Sequence, residues 1–449
     1  MVRRTLRFLK PLGIALLILA LVPCVVEFAL RIVWCRRELT VDRESNRVAL
    51  ARSWHTFHEL EPLHTTSIPV PDAEPIEFRT NSLGLRGDEI ADPKPPGVFR
   101  IVCLGDDVIL APEISEAETL TRVLEQELQQ RSRVRIEVIN AGVPSYCPLL
   151  SYLQFRHRLE GLDPDLIIAH FDPSDVFDDR RFRRLTDLGP GERPLVCTHP
   201  DLLADPITKP LSESFLTLRL GERLLAGWLS SDTSNDLSRA DNPRSRYAWL
   251  ADDRGDWALQ VGLALSAYEH LAEFCRDAEI GLLLASHPAP WQVSTTASRG
   301  ARIPEQNGIY PGALFEQVEP LERVHEFARS RNLILCDVTG SFRNASSPDL
   351  LFQENTHGFS PLGHRLYADQ LAAAILLSID GPWKSETIDE PAMLPAGFER
   401  PVQSGAASTP QAPRLSLPVR PNRPASLPPG EAPALVPPEP AQPPFPPQR

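Results

Sequence analysis

Between residues 99 and 378 short apolar runs alternate with longer amphipathic ones. FRIVCLG (99–105), VRIEVIN (134–140), DLIIAHF (165–171), EIGLLLASH (279–287) and NLILCDV (332–338) are rich in Ile, Leu, Val and Phe, with few polar interruptions. Such runs predict strands buried on both faces. Between them the period lengthens. AETLTRVLEQELQQR (117–131), PLLSYLQFRHRLEGL (148–162), WALQVGLALSAYEHLAEFCRDA (257–278) and PLGHRLYADQLAAAILL (361–377) carry apolar residues at helical spacing. In the third of these, Trp257, Val261, Leu265, Tyr268 and Leu271 share one face. Alternating strands and helices predict an α/β fold with a mostly parallel sheet covered on both sides. In such sheets the chemistry gathers at the carboxyl ends of the strands. Asp106 and Asp107, Gly142, the stretch Asp172 to Asp175 and the loop holding His357 all fall there.

The two ends of the chain depart from this pattern. Residues 1–10 are basic, and residues 11–34 are apolar except for Glu27 and Arg31, one helical turn apart. A helix of that length reaches about 36 Å, enough to cross a bilayer. The expectation is a membrane-spanning helix at 11–34 with the N-terminus inside, a cleaved signal peptide being the alternative. Residues 35–75 then read as a juxtamembrane linker, in which His55, His58 and His64 are solvated. The domain proper is expected over 76–380. Residues 178–256, rich in Arg, Asp, Pro and Ser, read as a cap insertion. The segment 385–449 has 18 prolines in its last 59 residues and reads as a disordered tail.

Composition narrows the function. A net charge of -13 argues against nucleic acid as a partner. The seven cysteines show no CxxC or Cys/His metal spacing and read as small buried hydrophobes. Carboxylates are numerous enough at the predicted sheet edge to suit a hard cation: Asp106, Asp107, Asp172, Asp175, Glu354 and His357. No metal or other cofactor is expected all the same. His170 and His287 each close a predicted strand and stand near the same edge, and packing at the strand end is the simpler reading of His170. His157, between Arg156 and Arg158, reads as a solvated helix face.

Five segments, in order, carry a family resemblance: FRTNSLGLRGDE (78–89), PPGVFRIVCLGDD (95–107), VINAGVPSY (138–146), LDPDLIIAHFDPSDV (162–176) and THGFSPLGHRLYADQL (356–371). Together they resemble the SGNH/GDSL hydrolases, most nearly the membrane-anchored bacterial members. The resemblance implies a three-layer α/β/α sandwich and an esterase, lipase, or carbohydrate deacetylase or acyltransferase ancestry. It also implies an acylated glycan or ester as ligand, and a domain on the outer side of a bacterial membrane. By the resemblance Asp107 occupies the nucleophile position, where the family has serine. Gly142 and Ser174 occupy the oxyanion positions, with Ser174 in place of asparagine. His357 occupies the base position and Glu354 that of the orienting acid. Asp106 and Asp175 match positions that make structural hydrogen bonds, which is why no metal is expected. His364 reads as structural.

The substitutions carry a chemical consequence. A serine esterase needs a hydroxyl that histidine can deprotonate and that then forms an acyl-enzyme. An aspartate is already ionised at neutral pH and would form an anhydride with an ordinary ester. Loss of the serine in a comparable triad costs about 10⁶ in turnover, and loss of one oxyanion donor about 10²–10³. The replaced nucleophile therefore decides the expectation of a silenced site. Attack by Asp107 on saturated carbon, activation of water by His357, a conventional hydrolase tolerant of these changes, and a glycan- or partner-binding role remain the alternatives.

Overall fold

The computed structural model describes residues 22, 25–29, 48–70, 74–203, 246–250, 255–297, 309, 314–315, 319–353, 358–383 and 415–416. Five strands make the central sheet: β1 (Val98–Gly105), β2 (Arg135–Gly142), β3 (Leu166–Phe171), β4 (Gly281–Ser286) and β5 (Ile334–Asp337). Their order is β5-β4-β3-β1-β2, and every neighbouring pair is parallel. Each matches one of the apolar runs read from the sequence. Alternation sends Val102 and Leu104 of β1 to one face and Ile101 and Cys103 to the other. Arg100 interrupts this strand, yet it is fully buried. Its guanidinium donates to Glu137 Oε2 at 2.5 Å, to the Leu162 carbonyl at 2.6 Å and to the Ala91 carbonyl at 2.9 Å, so no buried donor head is left facing apolar atoms.

Among the described residues, six helices cover the sheet: α1 (Leu120–Arg131), α2 (Pro148–Gln154), α3 (Asp175–Arg183), α4 (Gly255–Asp277), α5 (Glu319–Ser330) and α6 (Pro361–Ser378). Leu120, Val123, Leu124 and Leu128 of α1 share a core with Tyr367, Leu371 and Ile375 of α6 on one face. Leu149, Leu150 and Leu153 of α2 share the other core with Leu265, Tyr268 and Leu271 of α4. The result is the expected three-layer α/β/α sandwich. The helix predicted over 148–162 is regular only to Gln154, after which the chain loosens into a π-turn at Phe155–Leu159 and a 3₁₀ turn at Glu160–Leu162. Helices α3 and α5 fall outside the helical runs of the sequence pattern. The first is dense in charge; the second does carry Leu321, Val324, Phe327 and Ala328 at helical spacing, a periodicity short enough to pass unread.

The structured part begins earlier than the linker reading of 35–75 implies. Leu50–Arg52 pairs antiparallel with His58–Leu60, and Thr65–Ile68 pairs with Ile76–Arg79. Val48, Leu60 and Ile68 enter the same core as α2 and α4. His58 is not solvated as expected: its Nε2 lies 2.7 Å from the Pro144 carbonyl, and the Tyr146 hydroxyl donates to the His58 carbonyl at 2.6 Å. Isolated three- and four-residue strands carry too little periodicity to be seen in sequence.

Both described ends of the 178–256 region pack into the main core. Phe182 and Cys197 enter it on one side, and Tyr247, Trp249 and Leu250 on the other. Residues 204–245 lie outside the described residues, so the cap reading concerns a segment not described. Of the apolar segment 11–34 only residues 22 and 25–29 are described, and they are helical. Among the described residues no helix is long and apolar enough to cross a membrane. The tail from 385 is outside them too, apart from 415–416.

Candidate functional site at the carboxyl edge of the sheet

The strand order reverses between β1 and β3, so the two strands leave a crevice between their outgoing loops at the carboxyl edge. At the end of β1 the chain turns sharply. Asp106 caps a one-turn helix, Asp107–Leu110, by accepting the Val108 N–H at 3.0 Å. Asp107 is its first helical residue. The turn ends at Ala111 in the left-handed region, φ 49°, with its N–H on the Asp107 carbonyl at 2.7 Å. The last carbonyl of that short helix and two just beyond it are satisfied by Arg86, a residue of the NSLGLRG lead-in. Its guanidinium donates to the carbonyls of Leu110 at 2.7 Å, Ile114 at 2.6 Å, and Ala111. Burial pulls the Arg86 guanidinium down to about 10. Through Arg86 the lead-in holds up the elbow.

Gly142 ends β2 directly against this elbow. A Cβ there would sit 2.3 Å from the Leu110 nitrogen and 2.9 Å from the Asp106 carbonyl, so only glycine fits. Its N–H donates to Asn140 Oδ1 at 3.1 Å, an internal bond. Beyond Gly142 the loop reaches Ser145, φ 59°, whose N–H lies 3.4 Å from Asp107 Oδ2. On the far side of the same loop stands His58. Burial lowers its ring below the ordinary histidine value, against the bond to Pro144 and the negative charge of Asp107, which pull the other way. Sequence reading missed this histidine because only the tertiary fold brings residue 58 within electrostatic reach of residue 107.

After β3 the loop is locked by carboxylates. Asp172 Oδ1 accepts the Ser174 N–H at 2.5 Å, and Asp175 Oδ2 accepts the Asp172 N–H at 2.8 Å. The Ser174 hydroxyl lies 3.5 Å from Asp178 Oδ2, and Asp178 is held by Arg246 Nη2 at 2.5 Å. Burial, together with the Asp172 and Asp107 charges, pushes Asp106 well above the usual carboxylate range. Burial with Asp172 and Asp106 does the same to Asp175. In both, burial and the neighbouring carboxylates disfavour the charged form.

His170, the last but one residue of β3, is buried with Nδ1 3.0 Å from the Tyr367 hydroxyl, while the Tyr268 hydroxyl donates to its carbonyl. Burial and the nearby His287 hold its ring well below the ordinary value, so it is a packed neutral imidazole. His287 leaves the end of β4 with Nε2 3.3 Å from Asp172 Oδ2. At the end of β5, Asp337 accepts from Thr339 Oγ1 at 2.7 Å and pairs with His325 Nε2 at 2.9 Å. Burial works to raise this acid, but those bonds outweigh it and leave it below its usual value.

The structure thus gathers Asp106, Asp107, Gly142, His170, Asp172, Ser174 and Asp175 at one sheet edge. Glu354 and His357, expected at the orienting-acid and base positions, lie outside the described residues. Two readings change in detail. The Gly142 N–H is turned onto Asn140 and the Ser174 hydroxyl toward Asp178, each within its own local network.

An α/β sandwich with a helical elbow after its first core strand is the class that this geometry defines. No family model matches the chain, and no curated protein matches it. Solved structures do resemble it. A lipase/acylhydrolase from Enterococcus faecalis is 12% identical, with TM-score 0.33, over 62% of this chain and 95% of that one. A lipolytic protein of the G-D-S-L family from Desulfitobacterium hafniense is 14% identical, with TM-score 0.31, over 61% and 98%. A catalytic mutant of an acetylxylan esterase from Geobacillus stearothermophilus is 11% identical, with TM-score 0.34, over 62% and 94%. The fold rests on the strand order and packing above, not on these distant likenesses.

Proposed function

We propose that this chain is a membrane-anchored, SGNH/GDSL-hydrolase-like envelope protein that no longer cleaves esters through a serine acyl-enzyme. The observation that carries this is Asp107. A carboxylate stands at the first helical position of the elbow after β1, its Oδ2 3.4 Å from the Ser145 N–H. A carboxylate there supplies no hydroxyl for acyl transfer, and its negative charge opposes the oxyanion that acyl transfer develops. The inward bonding of the Gly142 N–H and the Ser174 hydroxyl supports the same reading, since neither donor is pre-aimed at a common oxygen. What remains is a rigid strand-edge surface suited to holding an acylated glycan or ester without turning it over.

The test is an assay of the purified full chain on short-chain aryl esters and acetylated sugars. Turnover at serine-hydrolase rates, lost in His357→Ala, would refute the proposal and leave an active ester hydrolase or O-deacetylase. The double change Asp107→Ser and Ser174→Asn measures how much of the machinery persists. Recovery of slow ester cleavage means that only the nucleophile and one donor were lost.

A further inference from the structure

The register of the sheet places three potential metal donors side by side. Ser286 of β4 pairs with Phe171 of β3, so His287 and Asp172 leave the sheet together as the next residues. Leu104 of β1 pairs with Ala169, so Asp106 leaves the third adjacent strand one position from them. One ligand atom from each of the three side chains lies within 4.8 Å of the other two, and all three residues are buried. The Asp172 and His287 atoms are 3.3 Å apart. Bonds of about 2.0–2.1 Å around a tetrahedral ion place neighbouring ligand atoms roughly 3.3 Å from each other. Closing the cluster on one ion therefore needs at most about 1.5 Å of movement between any two of these atoms.

A second observation points the same way. Asp106 is only 3% exposed, yet its Oδ2 has no hydrogen-bond partner among the described residues. Its Oδ1 is already used by the Val108 N–H. A buried carboxylate oxygen without a donor is costly, and a cation beside it removes that cost. The sequence alone pointed away from a metal because Asp106 and Asp175 have structural duties. Asp106 does discharge one, but with a single oxygen. Asp175, bonded to the Asp172 N–H, is not part of the set, and His287 enters it instead.

The geometry points to a divalent-cation site formed by Asp106, Asp172 and His287, one donor from each of three neighbouring strand ends. The imidazole nitrogen disfavours Mg²⁺ and Ca²⁺, which take oxygen ligands, and favours a first-row ion of the Zn²⁺ type. Three protein donors among the described residues leave a coordination position for a further ligand. The site does not depend on whether ester hydrolysis has been lost.

The experiment uses the full chain, stripped with a chelator and titrated with Zn²⁺ by calorimetry at neutral pH. One equivalent binds to the wild type, and His287→Gln and Asp106→Asn each weaken binding at least about tenfold. Mg²⁺ at millimolar concentration does not compete. A surface alternative is built into the controls, because the His55 and His157 rings stack with centroids 4.5 Å apart. His157→Gln leaves the equivalent intact if the buried site is real. Absence of Zn²⁺ binding by the wild type overturns the proposal, as does binding lost in His157→Gln but kept in His287→Gln. If the buried variants fail to fold, Co²⁺ added to the wild type and to His157→Gln decides. An intense four- or five-coordinate visible spectrum in both supports the site. A weak, six-coordinate spectrum, or one lost in His157→Gln, sinks it.

Discussion

Replacing Arg246 by methionine removes the cation from a buried ion pair while keeping most of the side-chain volume. Arg246 Nη2 lies 2.5 Å from Asp178 Oδ2, and the two side chains are 18% and 4% exposed. Breaking a buried pair by removing one partner costs about 3–5 kcal/mol, because a desolvated charge is left behind. The partial exposure of Arg246 argues for the lower end, about 3 kcal/mol. A domain of roughly this size loses about 2–4 °C of melting temperature per kcal/mol, so the drop is about 6–12 °C. Differential scanning calorimetry and urea unfolding of the full chain read it directly. The double variant Arg246→Met with Asp178→Asn costs less than the sum of the singles by at least about 1 kcal/mol, since the orphaned charge is gone. The pH dependence follows from Asp178. Burial raises it and Arg246 pulls it back, with the balance still above the ordinary value. Without Arg246 it rises further. A folded-state acid with a raised pKa has its stability intact at low pH and loses it as pH climbs through that value. The deficit of Arg246→Met is therefore largest near pH 8 and shrinks toward pH 4. A deficit under 1 kcal/mol, strict additivity in the double variant, or a deficit that grows on acidification would refute this account of the cluster.

Two further expectations concern neighbouring parts of the site. Gly142→Ala drives a methyl group to within 2.3 Å of the Leu110 nitrogen, so the elbow must move; the urea midpoint falls by the equivalent of about 3 kcal/mol or more. His364 is fully enclosed, and burial, with the Arg86 and His287 charges, holds it down to about 3. The unfolded chain takes up a proton below about 6.5 that the folded chain refuses, so this residue's contribution is complete above that pH and is lost as pH falls toward 3. Compared with His364→Leu, unfolding of the wild type carries an extra slope of up to about 1.4 kcal/mol per pH unit in that window, measured by denaturant titration at several pH values.

Much of this architecture was legible along the chain. The five core strands are runs that only a sheet buried on both faces would require, and their turns deliver Asp106, Asp107, Gly142 and Asp172 to one edge whatever the details of packing. The order of those strands, and with it the adjacency of β1, β3 and β4, is a matter of how the crossovers pack, which no local pattern encodes. Periodicity could not reveal the short hairpins before residue 80, since a three-residue strand is stabilised by the surface it lands on. The same holds for His58, for Arg86 beneath the elbow and for Arg246 against Asp178, each brought to the site across 24 residues or more. Residue identity along the chain thus determined which chemical groups stand at the carboxyl edge: paired acids after the first strand, a glycine after the second and further acids after the third. Tertiary structure alone decided which acids face a cation, which are pushed upward by burial, and that His287 stands beside Asp106 and Asp172, because hydrogen-bond partners and desolvation are properties of the packed neighbourhood and not of the segment.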